Sequence, residues 1–202
     1  MLIVARHGRT ESNALGLLLG HADPPLDALG RVQAQAIGAA VGRVDRVISS
    51  PLVRARLTAE MAAGGAENIE IDERLIELDY GEIDQKPMAE IDAGFWVQWR
   101  ANIDFAPPGG ESLSSLGKRV RSFFDDLSRE TSPSDDVLVV THVSPIKAVM
   151  AWTLGVGDEV GWRCFVQPAA LMRIALDGSQ PSLRSFNETA HLMDIEEPTA
   201  GN

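Results

Sequence analysis

An arginine and a histidine stand side by side near the start of the chain, directly after a short apolar run. The run covers residues 2–5, and Arg6 and His7 follow it. Small and polar residues come next, at Gly8, Thr10, Ser12 and Asn13. An arginine offers a permanent cation with a planar fork of donors that suits anions, and a neutral imidazole can act as a nucleophile. The stretch therefore suggests an anion site that contains a nucleophile.

Two further predicted strands, residues 44–48 and 137–140, also end on polar or cationic residues. The residues after them are Ser49, Ser50, Pro51 and Arg54 in one case, and Thr141 and His142 in the other. In α/β sheets, ligands bind beyond the carboxyl ends of the strands, where loops and helix N-termini converge. We therefore predict that two histidines and two arginines face one crevice. His21 and His191 are predicted to be structural residues.

Strands and helices are predicted to alternate along the chain. Such an order can bring the ends of several strands to one edge of a sheet, where the crevice would form. Strands are predicted at residues 2–5, 44–48, 69–71, 137–140, 171–176 and 183–186. Helices are predicted to begin at Asp27, at Ser50–Pro51 and at Ser144–Pro145, and residues 113–127 show apolar positions at helical spacing. This order favours an α/β fold with three layers, α/β/α, around a mostly parallel central sheet.

The pattern loosens between residues 82 and 110, where prolines and glycines surround a short aromatic stretch. We predict a single domain over residues 1–202, with a small insertion at about residues 82–110 that covers the active site, and a flexible tail at about residues 196–202. Trp96 and Trp99 lie three residues apart and are predicted to cover the core. Stacking on a leaving group is the alternative for this pair.

Composition excludes several classes of protein. Acidic residues outnumber basic ones 29 to 18, which gives a net charge of -11 and disfavours nucleic acid as a partner. Cys164 is the only cysteine, so an intrachain disulfide and a multi-cysteine zinc site are excluded. Only Met1 precedes the first apolar run, and no apolar stretch approaches the ~18 residues of a membrane span. We expect a cytoplasmic protein without a membrane partner, and the sequence leaves its oligomeric state open.

Five segments in chain order resemble the histidine phosphatase superfamily, in its phosphoglycerate mutase-like branch of small phosphatases. Residues 6–13, RHGRTESN, match the pattern R-H-G-x-[ST]-x-x-N. The other four are SSPLVRARLTA at 49–59, LIELDYG at 75–81, PGGES at 108–112 and NETAHL at 187–192. A single match of this kind is weak, whereas five in the right order are strong.

The resemblance implies a role for each matching residue. His7 attacks phosphorus and forms a phosphohistidine, while Arg6, Arg54 and His142 hold the phosphoryl oxygens. Glu77 protonates the leaving alkoxide and later takes a proton from the attacking water. The other predicted phosphate-binding residues are Thr10, Asn13 and, through its amide, Val143. No metal or organic cofactor is implied, because arginine and imidazolium supply the charge that Mg²⁺ supplies elsewhere.

The predicted function is therefore hydrolysis of phosphomonoesters of small phosphorylated metabolites. A phosphoglycerate-type mutase and a non-catalytic phospho-ligand-binding regulator are the alternatives. Two departures bear on the site: Val143 and Ser144 stand where the family commonly has glycines, and Ile83 and Gln85 replace the usual residues after Gly81. Three further cations are candidates to attract a multiply charged substrate: Arg9, Arg100 and Lys147.

Overall fold

The computed structural model describes residues 1–65, 68–176, 178 and 180–195, so the predicted tail at about 196–202 lies outside the described residues. The strands in this part of the chain are β1 (Leu2–Arg6), β2 (Arg46–Ser49), β3 (Glu70–Ile71), β4 (Val137–Thr141), β5 (Leu171–Ala175) and β6 (Ser182–Glu188). Its α-helices are α1 (Glu11–Ala14), α2 (Ala28–Val41), α3 (Val53–Ala62), α4 (Ala93–Ala101), α5 (Leu113–Glu130) and α6 (Val143–Leu154). None of these helices is both long and apolar enough to cross a bilayer.

All the strands belong to one sheet with the order β3-β2-β4-β1-β5-β6. The pairs β3/β2, β2/β4 and β4/β1 are parallel, whereas β5 runs antiparallel to both of its neighbours. The prediction of a mostly parallel sheet is confirmed. Because β1 and β4 are adjacent and in register, with Arg6 opposite Thr141, the chain leaves both strands at the same point of the sheet edge. This places the next residues, His7 and His142, side by side.

Helices cover both faces of the sheet. Leu2 and Val4 of β1 pack in a cluster with α5 and α6, and Ile3 and Ala5 pack in another with α2 and α3. Burial on both faces explains why β1 and β4 are continuously apolar instead of alternating with polar residues. The predicted three-layer α/β/α architecture is confirmed.

Helix α3 begins later than predicted. Its first residue is Val53 and its N-cap is Leu52, which makes no side-chain capping bond, so Ser50 and Pro51 lie outside the helix. The Ser50 hydroxyl instead lies 2.6 Å from Nε2 of His142. The capping prediction was wrong because a long-range contact, invisible in local sequence, uses this side chain.

Helix α6 begins earlier than predicted, at Val143, with His142 as its N-cap. Pro145 therefore occupies the third helical position, where its missing N–H is harmless because first-turn N–H groups have no intrahelical acceptor. Ser144 is inside the helix, and its amide donates to the Glu77 carboxylate at 3.1 Å. A side chain from another part of the chain thus takes the place of the expected serine cap.

The segment at residues 82–110 contains short 3₁₀ turns and α4. It pairs with the loop after α1, since Leu18 donates to the Lys86 carbonyl at 2.9 Å and receives a bond from the Gln85 amide at 2.7 Å. Its two ends meet at Gly81, which has a φ of +52° and where a Cβ would lie 2.2 Å from the Pro108 carbonyl oxygen. A glycine is required there to close the segment.

Candidate active site

The two histidines that follow β1 and β4 form the centre of a buried polar cluster. The ring centroids of His7 and His142 are 5.0 Å apart, and both side chains are almost fully inaccessible to solvent. Arg54, from the first turn of α3, is completely buried beside them. Residues that are far apart in sequence are therefore brought together as the sequence predicted.

The hydrogen bonds of His7 identify its tautomer. Nδ1 lies 2.7 Å from the Gly8 carbonyl oxygen, which can only accept, so Nδ1 carries the proton. Nε2 is left with its lone pair and receives a bond from Nε of Arg54 at 3.3 Å. Gly8 is needed for close packing, because a Cβ there would lie 2.3 Å from the Gly30 carbonyl oxygen. This arrangement presents Nε2 as the nucleophilic nitrogen.

Backbone carbonyls hold the Arg54 guanidinium. One terminal nitrogen donates to the Ala22 carbonyl at 2.8 Å and the other donates to the Gly20 carbonyl at 2.7 Å. Burial lowers the pKa of Arg54, while the nearby charges of Glu77 and Asp23 oppose that shift. The side chain is therefore fixed in one position before any ligand binds.

Asp84 lies behind this carbonyl clamp and was missed in the sequence. Its Oδ1 accepts from the Gly20 amide at 2.7 Å and its Oδ2 from the Ala22 amide at 2.8 Å. The two residues whose carbonyls hold Arg54 are thus held in turn, through their amides, by one carboxylate. No local pattern marks Asp84, because its partners are more than 60 residues away in sequence.

We expect Asp84→Asn to lower kcat/KM about 10- to 100-fold, because an amide nitrogen would face one of the two N–H donors and the Arg54 clamp would shift. Affinity for vanadate should fall with kcat/KM, while the midpoint of thermal unfolding changes little. The exposed Asp104 lies in the same segment and serves as the matched control, with Asp104→Asn expected to be neutral. Unchanged vanadate affinity in the Asp84 variant would contradict a positioning role.

Two buried donor or acceptor atoms in the cluster lack a hydrogen-bond partner among the described residues. They are Nε of Arg6 and Nδ1 of His142. Arg6 donates through another nitrogen to the Val166 carbonyl at 2.7 Å, and burial lowers its pKa to about 10. Buried polar atoms without partners usually mark a place that an ion, water or ligand completes. Both atoms fit a site for an anion such as phosphate.

Glu77 accepts three backbone hydrogen bonds. Its Oε1 receives the amides of Leu78 at 2.8 Å and Ser144 at 3.1 Å, and its Oε2 receives the Val143 amide at 3.1 Å. The Val143 amide was predicted to donate to phosphate, but in this structure it donates to Glu77. The N-terminus of α6 thus fixes a carboxylate next to His142.

The backbone of Glu77 is fixed from behind. Arg119 donates to the carbonyls of Arg74, Ile76 and Glu77, at 2.7, 2.7 and 3.1 Å. Nε2 of His21 lies 2.9 Å from the same Glu77 carbonyl and donates to it. His21 is thus a structural residue, as predicted, but one that supports the predicted acid.

Thr10 and Asn13 form a capping box at the start of α1. The Asn13 amide donates to Oγ1 of Thr10 at 3.2 Å, and the Thr10 amide donates to Oδ1 of Asn13 at 3.2 Å. The side-chain oxygens are therefore engaged with each other, whereas Nδ2 of Asn13 is not used in the box. A role for either residue in phosphate binding stays a prediction.

The three other candidate cations lie in different surroundings. Nε of Arg9 donates to Asp27 at 2.7 Å, so that its charge is paired. The Arg100 guanidinium lies over the Trp162 ring, 5.9 Å from its centroid. Lys147, one turn into α6, lines a cavity beside Glu77.

Burial lowers the pKa of both His7 and His142, and the neighbouring charges of Arg54 and Arg6 lower each pKa further. In the folded protein both rings are therefore neutral at pH 7. The unfolded chain binds protons near pH 6.5, where the folded rings do not. Unfolding is consequently favoured as the pH falls below about 6.5.

We expect the free energy of unfolding to decrease between pH 6.5 and 5.5, with each histidine contributing up to about 1.4 kcal/mol per pH unit. Urea unfolding at a series of pH values measures this slope. His142→Asn removes one titrating ring and should make the slope shallower in that window, whatever its effect at pH 7.5. An identical slope in the variant would show that other groups carry the pH dependence.

Comparison with known proteins agrees with this geometry. The profile of the histidine phosphatase superfamily (branch 1) matches residues 2–189. Phosphoserine phosphatase 1 of Hydrogenobacter thermophilus is 31% identical over 201 residues, which cover 95% of this chain and 93% of that protein. A mutant of Entamoeba histolytica phosphoserine phosphatase, solved in complex with phosphoserine, has a TM-score of 0.86 at 26% identity, covering 95% of this chain and 98% of that one. Mycobacterial glucosyl-3-phosphoglycerate phosphatase, solved with VO3, has a TM-score of 0.83 at 28% identity, and the match covers 93% of this chain and 98% of that one. With the match spanning most of its length, the chain belongs to the histidine phosphatase superfamily, branch 1.

Proposed function

We propose that this chain hydrolyses phosphomonoesters of small phosphorylated metabolites through a phosphohistidine at His7. One observation carries the proposal: Nδ1 of His7 is tied to the Gly8 carbonyl, so that Nε2 faces a cluster of buried cations. Relatives described as phosphoserine phosphatase and glucosyl-3-phosphoglycerate phosphatase support the same class of reaction.

In the first half-reaction, Nε2 of His7 attacks phosphorus and the bond from phosphorus to the ester oxygen breaks. Glu77 must carry a proton at the start of this step, and it gives that proton to the departing oxygen, so that a neutral alcohol leaves. In the second half-reaction, Glu77 takes a proton from water, the oxygen attacks phosphorus, and the phosphorus–nitrogen bond breaks. Inorganic phosphate leaves and His7 returns to its neutral form.

Arg6, Arg54 and His142 are proposed to bind the phosphoryl oxygens during both steps. Because these side chains stabilise the negative charge of the transition state, we propose a metal-independent reaction. We also propose that the enzyme acts in the cytoplasm, as its single cysteine suggests.

A panel of phosphorylated metabolites, incubated with the purified protein in EDTA, tests these proposals together. We expect release of inorganic phosphate at a rate that EDTA does not change. Isomerisation of a substrate without phosphate release would indicate the mutase alternative. Phosphate binding without turnover of any ester would indicate the non-catalytic regulator.

A further inference from the structure

A largely apolar cavity of about 210 Å³ lies beside the cluster of histidines and arginines. Aromatic and aliphatic side chains form most of its wall: Leu18, Leu78, Tyr80, Met88, Trp96, Trp99, Leu113, Leu116 and Trp162. The rings of Trp96 and Trp99 are stacked, with centroids 5.7 Å apart and planes 9° apart. Trp99 is a core residue, as predicted, and Trp96 is only partly covered.

The position of the cavity relates it to the leaving group. Three of its lining residues, Leu78, Val143 and Ser144, are the ones whose amides hold the Glu77 carboxylate. Glu77 is the residue proposed to protonate the departing oxygen. The part of the substrate attached to that oxygen must therefore lie against the residues that surround Glu77.

Lys147 places a positive charge in this apolar wall. Its side chain is half-buried and forms no ion pair or hydrogen bond with another side chain in residues 1–65, 68–176, 178 and 180–195. Burial lowers its pKa, and the charge of Glu77 opposes that shift. An ammonium group in such surroundings is stabilised by an anionic partner.

Among the described residues that line the cavity, Asp158 is the only carboxylate. Its charge is paired with the Arg121 guanidinium, which donates to both of its oxygens at 2.6 Å each. An α-ammonium group, as in phosphoserine, would therefore meet apolar rings and the like charge of Lys147. Burying it there without an unpaired carboxylate to balance its charge is unfavourable.

We propose that the cavity binds the alcohol part of the substrate, and that the preferred substrate is a phosphomonoester of a flat apolar alcohol that carries a carboxylate for Lys147. This inference rests on the proposed function for the position of the phosphate. It names the chemistry of the leaving group, in which Trp96 and Lys147 are the specificity-determining residues. It separates this chain from enzymes that act on zwitterionic phosphoserine.

Phosphomonoesters of primary alcohols test the proposal, because their leaving groups have similar basicity. The set comprises benzyl phosphate, 3- and 4-carboxybenzyl phosphate, and O-phosphoserine. We expect kcat/KM to be highest for one of the two carboxybenzyl esters, whichever places its carboxylate closer to Lys147. It should be about 10-fold lower for benzyl phosphate and lowest for phosphoserine. A wild-type enzyme that prefers phosphoserine would overturn the proposal.

Two variants assign the preference to residues. Lys147→Met should remove the roughly 10-fold advantage of the carboxylate while leaving benzyl phosphate within about 3-fold. Trp96→Ala should lower kcat/KM for both kinds of aromatic ester at least about 10-fold and leave phosphoserine nearly unchanged. The exposed Lys118 provides the control, since Lys118→Met should alter kcat/KM for none of the four esters. An equal loss of kcat/KM on all four esters in the Lys147 variant would overturn its role.

Non-hydrolysable phosphonates distinguish failure of this proposal from failure of the proposed function. Calorimetry should show that 3- or 4-carboxybenzylphosphonate binds more tightly than benzylphosphonate, and that Lys147→Met abolishes the difference. If that preference holds but no ester is hydrolysed, the cavity assignment stands and the hydrolase proposal is wrong. If esters are hydrolysed but neither measurement shows the preference, the cavity assignment is wrong.

Discussion

His7→Ala abolishes turnover, with an expected fall in kcat/KM of at least about 10⁴-fold, because the variant has no group to form the covalent intermediate. When the reaction is quenched without acid, wild-type protein should carry phosphohistidine, which is recognised as protein-bound phosphate that is labile in acid and stable in base. The variant should carry none. Arg6, Arg54 and His142 remain in place in the variant, so affinity for inorganic phosphate should stay within about 10-fold of wild type. Loss of chemistry with retained binding is the signature of a nucleophile.

His191→Ala is the matched control for the loss of an imidazole. His191 is half-buried and its Nε2 lies 3.0 Å from the carbonyl of Ala169, whose amide donates to the His7 carbonyl, so that His191 contacts the proposed phosphate site only through the backbone of Ala169. Its variant should keep kcat/KM within about 3-fold, since the substitution removes one hydrogen bond to a backbone carbonyl and no side chain proposed to contact the substrate. Equal activity of the His7 variant and wild type would rule out the phosphohistidine mechanism.

Glu77→Gln should slow the reaction according to the leaving group. For esters of alkyl alcohols, kcat should fall about 10²- to 10⁴-fold, because the alkoxide needs a proton as it departs. For p-nitrophenyl phosphate the first step needs no acid, so nitrophenol should appear in a burst close to one equivalent. Phosphohistidine should then accumulate, because the second step still requires Glu77 as the base.

Glu77→Gln should also disturb the backbone around residue 77. A glutamine amide would direct N–H groups at one of the three backbone donors that now bind the carboxylate, so the loop of Leu78 and the start of α6 would be strained. Thermal unfolding measures that effect separately. The exposed Glu82 is the control, and Glu82→Gln should behave as wild type. The same loss on both kinds of ester, with no burst, would argue against acid–base catalysis by Glu77.

The sequence predicted the superfamily, the three-layer fold and the class of enzyme, and these predictions are confirmed. It also named the residues that the structure brings into one cluster: Arg6, His7, Arg54, Glu77 and His142. Such predictions succeed because they depend on short motifs placed at the ends of strongly apolar strands.

Helix starts were predicted less well. Ser50 and Ser144 have the local pattern of N-caps, yet neither caps a helix. The Ser50 hydroxyl pairs with His142, and the Ser144 amide pairs with Glu77. In both places a contact with a residue more than 60 positions away replaces the local interaction on which a cap prediction depends.

By itself, the sequence determined which residues can do chemistry and that they stand at the ends of buried strands, because residue types and apolar runs are local properties. Only the tertiary structure decided how those residues are held: the Asp84 carboxylate behind the Arg54 clamp, the three amides on Glu77, and the apolar wall around Lys147. These features depend on packing between distant segments. Hydrogen-bond geometry and cavity shape arise only when those segments meet, so local patterns in the sequence do not predict them.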